Sequence, residues 1–213
     1  MIRKVSPSKL DKDELSKVKL IPESELEEFD FSKVVVKKPW GYEYASYLGQ
    51  KSSIWNLHMD KNQGTSFHCH PKKTSLIAPL SKEMVCSTLD NDYYLEVGDC
   101  IILGKGVFHR LTTVSNQKAI IMEIETPPIK TDLVRTSDAY GRERKAYEST
   151  SEMDFETDKY QYIPFDGIKK KIGEVSVSIQ DDLPDKSLLK ISEDYNSILI
   201  NIDSNKILKI MKL

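Results

Sequence analysis

His68 and His70 stand one residue apart in "GTSFHCHPKKTSLIAPL" (64–80), and His109 follows in "GDCIILGKGVFHRL" (98–111). Successive side chains of an extended strand point to opposite faces, so His68 and His70 share one face. Two imidazoles on one strand, joined by a third from a later strand, are a common way to hold Zn, Fe, Mn, Ni or Cu. Imidazole suits all of these, so the residues name a divalent metal without choosing one. The competing reading leaves each histidine satisfied by hydrogen bonds in a polar cavity. Cys69 lies between the pair and faces away from it, which makes it a poor ligand. His58, in "WNLHM", could face the same cavity; taken alone it reads as structural.

Short strands must position these side chains. "KVVVKKPWGYEYASYL", "SSIWNLHM", "TSFHCH", "TSLIAPL", "EMVCSTL", "YYLEVGDCIILGKGVFHRLTTV" and "AIIMEIET" are separated by Asn, Asp, Gly and Lys turns. That pattern predicts an all-β sandwich or barrel. No βαβ rhythm and no phosphate-cradling glycine loop is present, which counts against a nucleotide-binding α/β domain. Residues 1–32 read as an arm on the main body, with Ser8 or Asp11 capping a short helix through Val18. The barrel occupies residues 33–126. A polar, tyrosine-rich segment, 127–165, is expected to drape over it. Residues 166–213 hold four more β-like runs, a small extension that forms a second sheet or lengthens the first.

The chain of 213 residues fits one domain with a smaller appendage, long enough to bury a core without staples. Its 31 lysines and arginines nearly balance 33 acidic residues, so no global field recruits nucleic acid or an anionic membrane. Three cysteines, Cys69, Cys86 and Cys100, are an odd number in strand-like segments, which favours reduced, buried thiols. The first residues carry no apolar signal region, and no run approaches the ~18 apolar residues of a membrane span. A cytoplasmic protein is expected.

"GTSFHCH" followed by "GDCIILGKGVFH" resembles the two motifs of the cupin superfamily, small jelly-roll β-barrels (double-stranded β-helices) with a metal or ligand site inside. "KKPWGYEY" is similar to the Pro-Trp-Gly entry strand of the cupin-type mannose-6-phosphate isomerases, including the isomerase half of bifunctional mannose-1-phosphate guanylyltransferases. "IIMEIET" resembles their Glu-Val-Gln strand, with Glu123 and Glu125 at the matching positions. "TDLVRTSDAYGR" resembles the segment that follows the barrel in that family, through Asp132, Arg135, Asp138, Tyr140, Gly141 and Arg142. The resemblance spans roughly residues 34–148. Three departures accompany it. The cupin glutamate expected four or five residues after the second histidine is Thr74 or Ser75. The proline usual before the last histidine is Gly104. A glutamine of the isomerases is replaced by His68.

The resemblance implies a metal-dependent enzyme acting on a sugar phosphate or nucleotide-linked sugar, as an isomerase or epimerase, in surface-polysaccharide precursor synthesis. Such chemistry needs a base between adjacent carbons and an electrophile for the enediolate. His68, His70 and His109 are the metal candidates, for Zn, Fe, Mn or Ni. Glu123, Glu125 and Arg110 are the catalytic candidates. Lys72, Lys73, Arg135, Tyr140 and Arg142 are candidates for holding substrate, although Arg135 and Arg142 could equally pair with Asp132 or Asp138 to pin the draped segment. The alternative is a non-catalytic carbohydrate-binding or regulatory cupin, which the missing glutamate favours. A homodimer is expected, because barrel edges and the arm offer pairing surfaces.

Overall fold

Period-two alternation sorts the side chains of this chain onto three surfaces. The computed structural model describes residues 1–18, 29–137, 141, 147–155, 158–164, 166–181, 188–194 and 197–213. The chain begins with β1 (Ile2–Val5) and the helix α1 (Lys9–Leu15). Ten strands follow: β2 (Val35–Lys38), β3 (Gly41–Leu48), β4 (Ser53–Met59), β5 (Phe67–Cys69), β6 (Thr74–Ser81), β7 (Met84–Thr88), β8 (Asp92–Leu95), β9 (Cys100–Leu103), β10 (His109–Thr113) and β11 (Ala119–Thr126). Two short ones come next, β12 (Val134–Ser137) and β13 (Met153–Asp154). The last five are β14 (Lys170–Ile172), β15 (Val175–Asp181), β16 (Ile191–Asp194), β17 (Ser197–Asp203) and β18 (Lys206–Lys212).

The expected all-β architecture is what forms. An eight-stranded sheet runs β1-β9-β6-β11-β4-β3-β2-β13, and a five-stranded sheet runs β12-β5-β10-β7-β8. Apart from β1 on β9, the pairings are antiparallel. Between the two sheets lies one core, with Trp55, Leu57, Ile77, Ile101 and Ile121 from the large sheet and Cys86 and Leu111 from the small one. The next residue along each large-sheet strand points the other way. Ile54, Leu76, Ala78, Met122 and Ile124 form a second core with Val177, Ile179, Ile200 and Leu208. Those partners belong to a third sheet, β14-β15-β18-β17-β16, built from the C-terminal runs. The extension is thus a separate sheet laid on the outer face of the large one. Gly173, at φ +61°, brings it in close: a β-carbon there would sit 2.6 Å from the Leu80 carbonyl oxygen. Only glycine meets both demands.

The arm does more than wrap. Its β1 pairs in parallel along β9 and covers that sheet edge. Ser8 caps α1 in a capping box with Asp11. The other oxygen of the buried Asp11 carboxylate accepts the Phe108 amide at 2.8 Å, tying the arm to the turn that presents His109. Within the expected draped region, β12 joins the small sheet beside β5, and β13 pairs with β2. Among the described residues no helix is long and apolar enough to cross a membrane.

Candidate metal centre

Strand pairing brings the histidines together. β10 lies antiparallel to β5 with His109 opposite His68, and His70 follows β5 directly. The three ring centroids are 4.4, 5.0 and 5.4 Å apart, and one potential ligand nitrogen from each ring lies within 4.8 Å of the others. Each Nδ1 faces a backbone carbonyl: His68 to Ser66 at 2.9 Å, His70 to Asp132 at 2.6 Å, His109 to Val107 at 3.0 Å. A carbonyl can only accept, so each Nδ1 carries the proton and each Nε2 keeps its lone pair. This is the tautomer a metal ligand needs. Burial, followed by the neighbouring rings, holds His68 well below the usual imidazole range, and His109 is lowered to about 4 by burial and by His70. His68 and His109 are therefore neutral at pH 7.

A carboxylate reaches the triad from another strand. Ser75, on β6, donates its hydroxyl to Glu123 Oε1 at 2.9 Å. That oxygen lies 3.5 Å from His70 Nε2. His70 Nε2 is buried and has no hydrogen-bond partner. A lone pair thus faces a carboxylate across a gap that suits a cation. Burial favours the neutral acid for Glu123, but the Lys130 and Lys73 ammonium groups draw it the other way, and the carboxyl lies well below its usual range. Three imidazoles with a carboxylate alongside fit a divalent ion.

The triad opens on a cavity of about 50 Å³, enough for a few water-sized groups. Its other walls carry a ladder of buried charges. Lys73 Nζ pairs with Glu125 at 2.6 Å; Lys130 bridges Glu125 at 3.3 Å and Glu43 at 3.2 Å. Lys38 pairs with Glu43 at 3.2 Å and also with Glu148, which Arg135 Nη2 meets at 3.1 Å. Lys130 also sits 3.8 Å above the Trp55 ring, and Tyr147 donates its hydroxyl to Glu43. Burial pushes Glu43 up, yet Lys130 and Lys38 prevail and lower it to about 2.

Among the described candidates, His68, His70, His109, Glu123, Lys73 and Arg135 line this cavity. Glu125 does not; it is fully buried behind the wall, held by Lys73, Lys130 and Ser53. Arg110 alternates away from His109 and donates Nε to the Thr65 carbonyl at 3.0 Å. Lys72 is outside the lining too, and its amide, with that of Lys73, is capped by Asp132. Asp132 therefore fixes the loop after β5 rather than pairing with Arg135, whose carboxylate is Glu148. Asp138, Tyr140 and Arg142 lie outside the described residues. His58 does not reach the cavity. Trp55, Leu57 and Met59 take the inward parity of β4, so His58 points out, stacked on Tyr42 with ring centroids 4.5 Å apart. Cys69 is buried away from the site, and all three cysteines are free.

Lys38, Glu43, Lys130, Tyr147 and Glu148 were not singled out by the sequence. The available signal was parity: Lys38 and Glu43 take inward positions of β2 and β3, where Val36 and Ala45 are apolar.

Several solved structures resemble part of this fold. An oxalate decarboxylase from Lactobacillus farciminis matches 47% of this chain at 13% identity and a TM-score of 0.44. A cupin-superfamily sugar phosphate isomerase from Silicibacter pomeroyi matches 40% at 12% identity, TM-score 0.37. An uncharacterised double-stranded β-helix protein from Klebsiella pneumoniae matches 57% at 17% identity, TM-score 0.43. The match covers 32% of the decarboxylase chain, 58% of the isomerase chain and all of the Klebsiella chain. No protein-family model matches the sequence.

Proposed function

We propose that this chain is a metal-dependent cupin enzyme that isomerises or epimerises a sugar phosphate or nucleotide-linked sugar. The observation that carries the reading is the orphaned Nε2 of His70, with two further histidines on one side and Glu123 Oε1 3.5 Å away on the other. His68, His70 and His109 would hold the ion, with Glu123 beside them. A bound divalent metal polarises carbonyl and hydroxyl oxygens and so acidifies the neighbouring carbon. Glu123, steadied by the Ser75 hydroxyl, would take and return the proton. Lys38, Lys130 and Arg135 supply positive charge where an anionic substrate would lie. Trp40, Leu57, Leu111 and Leu133 line the remaining wall and exclude bulk water.

A non-catalytic carbohydrate-binding or regulatory role draws on a different observation. The cavity is small for a hexose phosphate, and each cation lining it is already met by a carboxylate.

Metal analysis of purified protein tests the first reading. The wild type should carry about one equivalent, and His68→Ala or His109→Ala should lose it. Negligible metal in the wild type, or unchanged metal in both variants, rejects the triad. A panel of sugar phosphates assayed for proton exchange with solvent then separates enzyme from binder, and no exchange with any of them favours the binder.

A further inference from the structure

The ladder contains one carboxylate that does not come from a barrel strand. Glu43 sits on β3 and Glu123 and Glu125 sit on β11, whereas Glu148 arrives on the segment that follows β12. Residues 147–149 make no strand pairing, yet the Glu148 side chain is only 6% exposed and reaches the cavity wall. There it takes two barrel cations at once, Lys38 at the end of β2 and Arg135 in β12. Both cations line the cavity, and Arg135 is the register partner of the metal candidate His68. A point-charge ammonium and a planar guanidinium converging on one acid group make a phosphate-type socket.

We propose that Lys38 and Arg135 form a phosphoryl-binding subsite beside the histidine triad, filled in this conformation by the chain's own Glu148. The incoming phosphoryl group displaces the Glu148 carboxylate, taking its place against both cations and adding negative charge there. Displacement also enlarges a cavity that is otherwise too small for a hexose phosphate. The internal carboxylate acts as a competitor: if it fills the socket nine-tenths of the time, apparent phosphate affinity falls about tenfold. This assignment rests on the reading that an anionic sugar enters this cavity; it does not depend on the metal.

Chelator-treated protein isolates the subsite. Inorganic phosphate, titrated calorimetrically at fixed ionic strength, should bind Glu148→Gln at least about tenfold tighter than wild type. It should also raise that variant's melting temperature more than matched chloride or acetate does. Adding Arg135→Gln should abolish both gains. Equal affinity in Glu148→Gln and wild type, rescue by acetate as strong as by phosphate, or a gain that survives Arg135→Gln overturns the proposal. Should Glu148→Gln fail to fold, Glu148→Asp keeps the charge but shortens its reach; it should show a smaller gain of the same kind, and none would be equally decisive. A missing gain leaves metal binding by the histidines intact, and missing metal leaves this phosphate result intact, so the two failures are distinguishable.

Discussion

The two faces of the eight-stranded sheet solve opposite problems with adjacent residues. In β11, Met122 and Ile124 point outward into the apolar layer made with the third sheet, while Glu123 and Glu125 point inward among buried cations. The outer face is held by area. At about 25 cal/mol per Å² of apolar surface removed from water, each fully buried aliphatic side chain contributes roughly 1.5–3 kcal/mol, and one loss leaves the others intact. The inner face is held by pairing. Burying an ion costs several kcal/mol unless a partner restores most of it, so one loss exposes the full penalty on the partner. The inner face is therefore brittle where the outer face is tolerant, which is reasonable for a wall that must present charge to a ligand.

Lys73→Met should give the largest effect. Glu125 would keep Lys130 at 3.3 Å but lose the 2.6 Å partner. A stability loss of about 3–5 kcal/mol is expected from urea unfolding, with most of it recovered when Glu125→Leu is added. A loss below about 1 kcal/mol would show that the inner wall is not held by pairing. On the outer face, Leu208→Ala should cost about 3 kcal/mol through lost transfer energy and a cavity. Leu208→Met should cost less than about 1.5 kcal/mol, because volume is kept. Metal content of the folded protein should not change in either variant. Loss of metal in Leu208→Ala would mean that the two faces are coupled.

Acid should act on the inner face at Glu43. Its folded pKa of about 2 lies below the unfolded value near 4.5, so its contribution is complete above pH 4.5 and is lost as pH falls toward 2. The shift corresponds to up to about 3 kcal/mol. Glu43→Gln should remove that part of the acid-unfolding slope between pH 4.5 and 2, measured by urea midpoints.

The difference between faces also explains what the sequence disclosed. Alternation within one strand is local, so the shared face of His68 and His70, the strand-rich barrel and the outward-facing Cys69 were readable from residue order. His58 was ambiguous because its parity depends on which of Trp55 and Ile54 points inward, and both are apolar. The ladder was hidden for a different reason. Lys38, Glu43, Lys73, Glu125, Lys130 and Glu148 come from six places in the chain, and no spacing rule joins them before the sheets close. The same holds for the Ser75–Glu123 bond, which joins β6 to β11 only once the large sheet is formed. The arm's β1 was missed because "IRKV" is short and charged, and its strand form depends on the β9 edge beside it.

The smallest expected effect tests the outer face for its intolerance of charge. His58 lies outward on β4, half-buried, with Tyr42 stacked on it and Tyr44 Oη 3.4 Å from Nε2. Burial, aided by Lys118, lowers its pKa to about 4 from an ordinary 6.5. A base with a lowered folded pKa is neutral in both states above 6.5. Below that the unfolded chain takes a proton that the folded one refuses, so stability falls as pH drops from 6.5 to about 4 and then levels. After allowance for solvent at a half-buried site, the contribution is about 1–2 kcal/mol. His58→Phe keeps the stack on Tyr42 and removes the titration. The variant should match wild type within about 1 kcal/mol at pH 7.5 and become the more stable of the two at pH 4.5. An unchanged difference between the two pH values would show that this face accommodates a charge, and the contrast with the inner wall would then rest on the ion pairs alone.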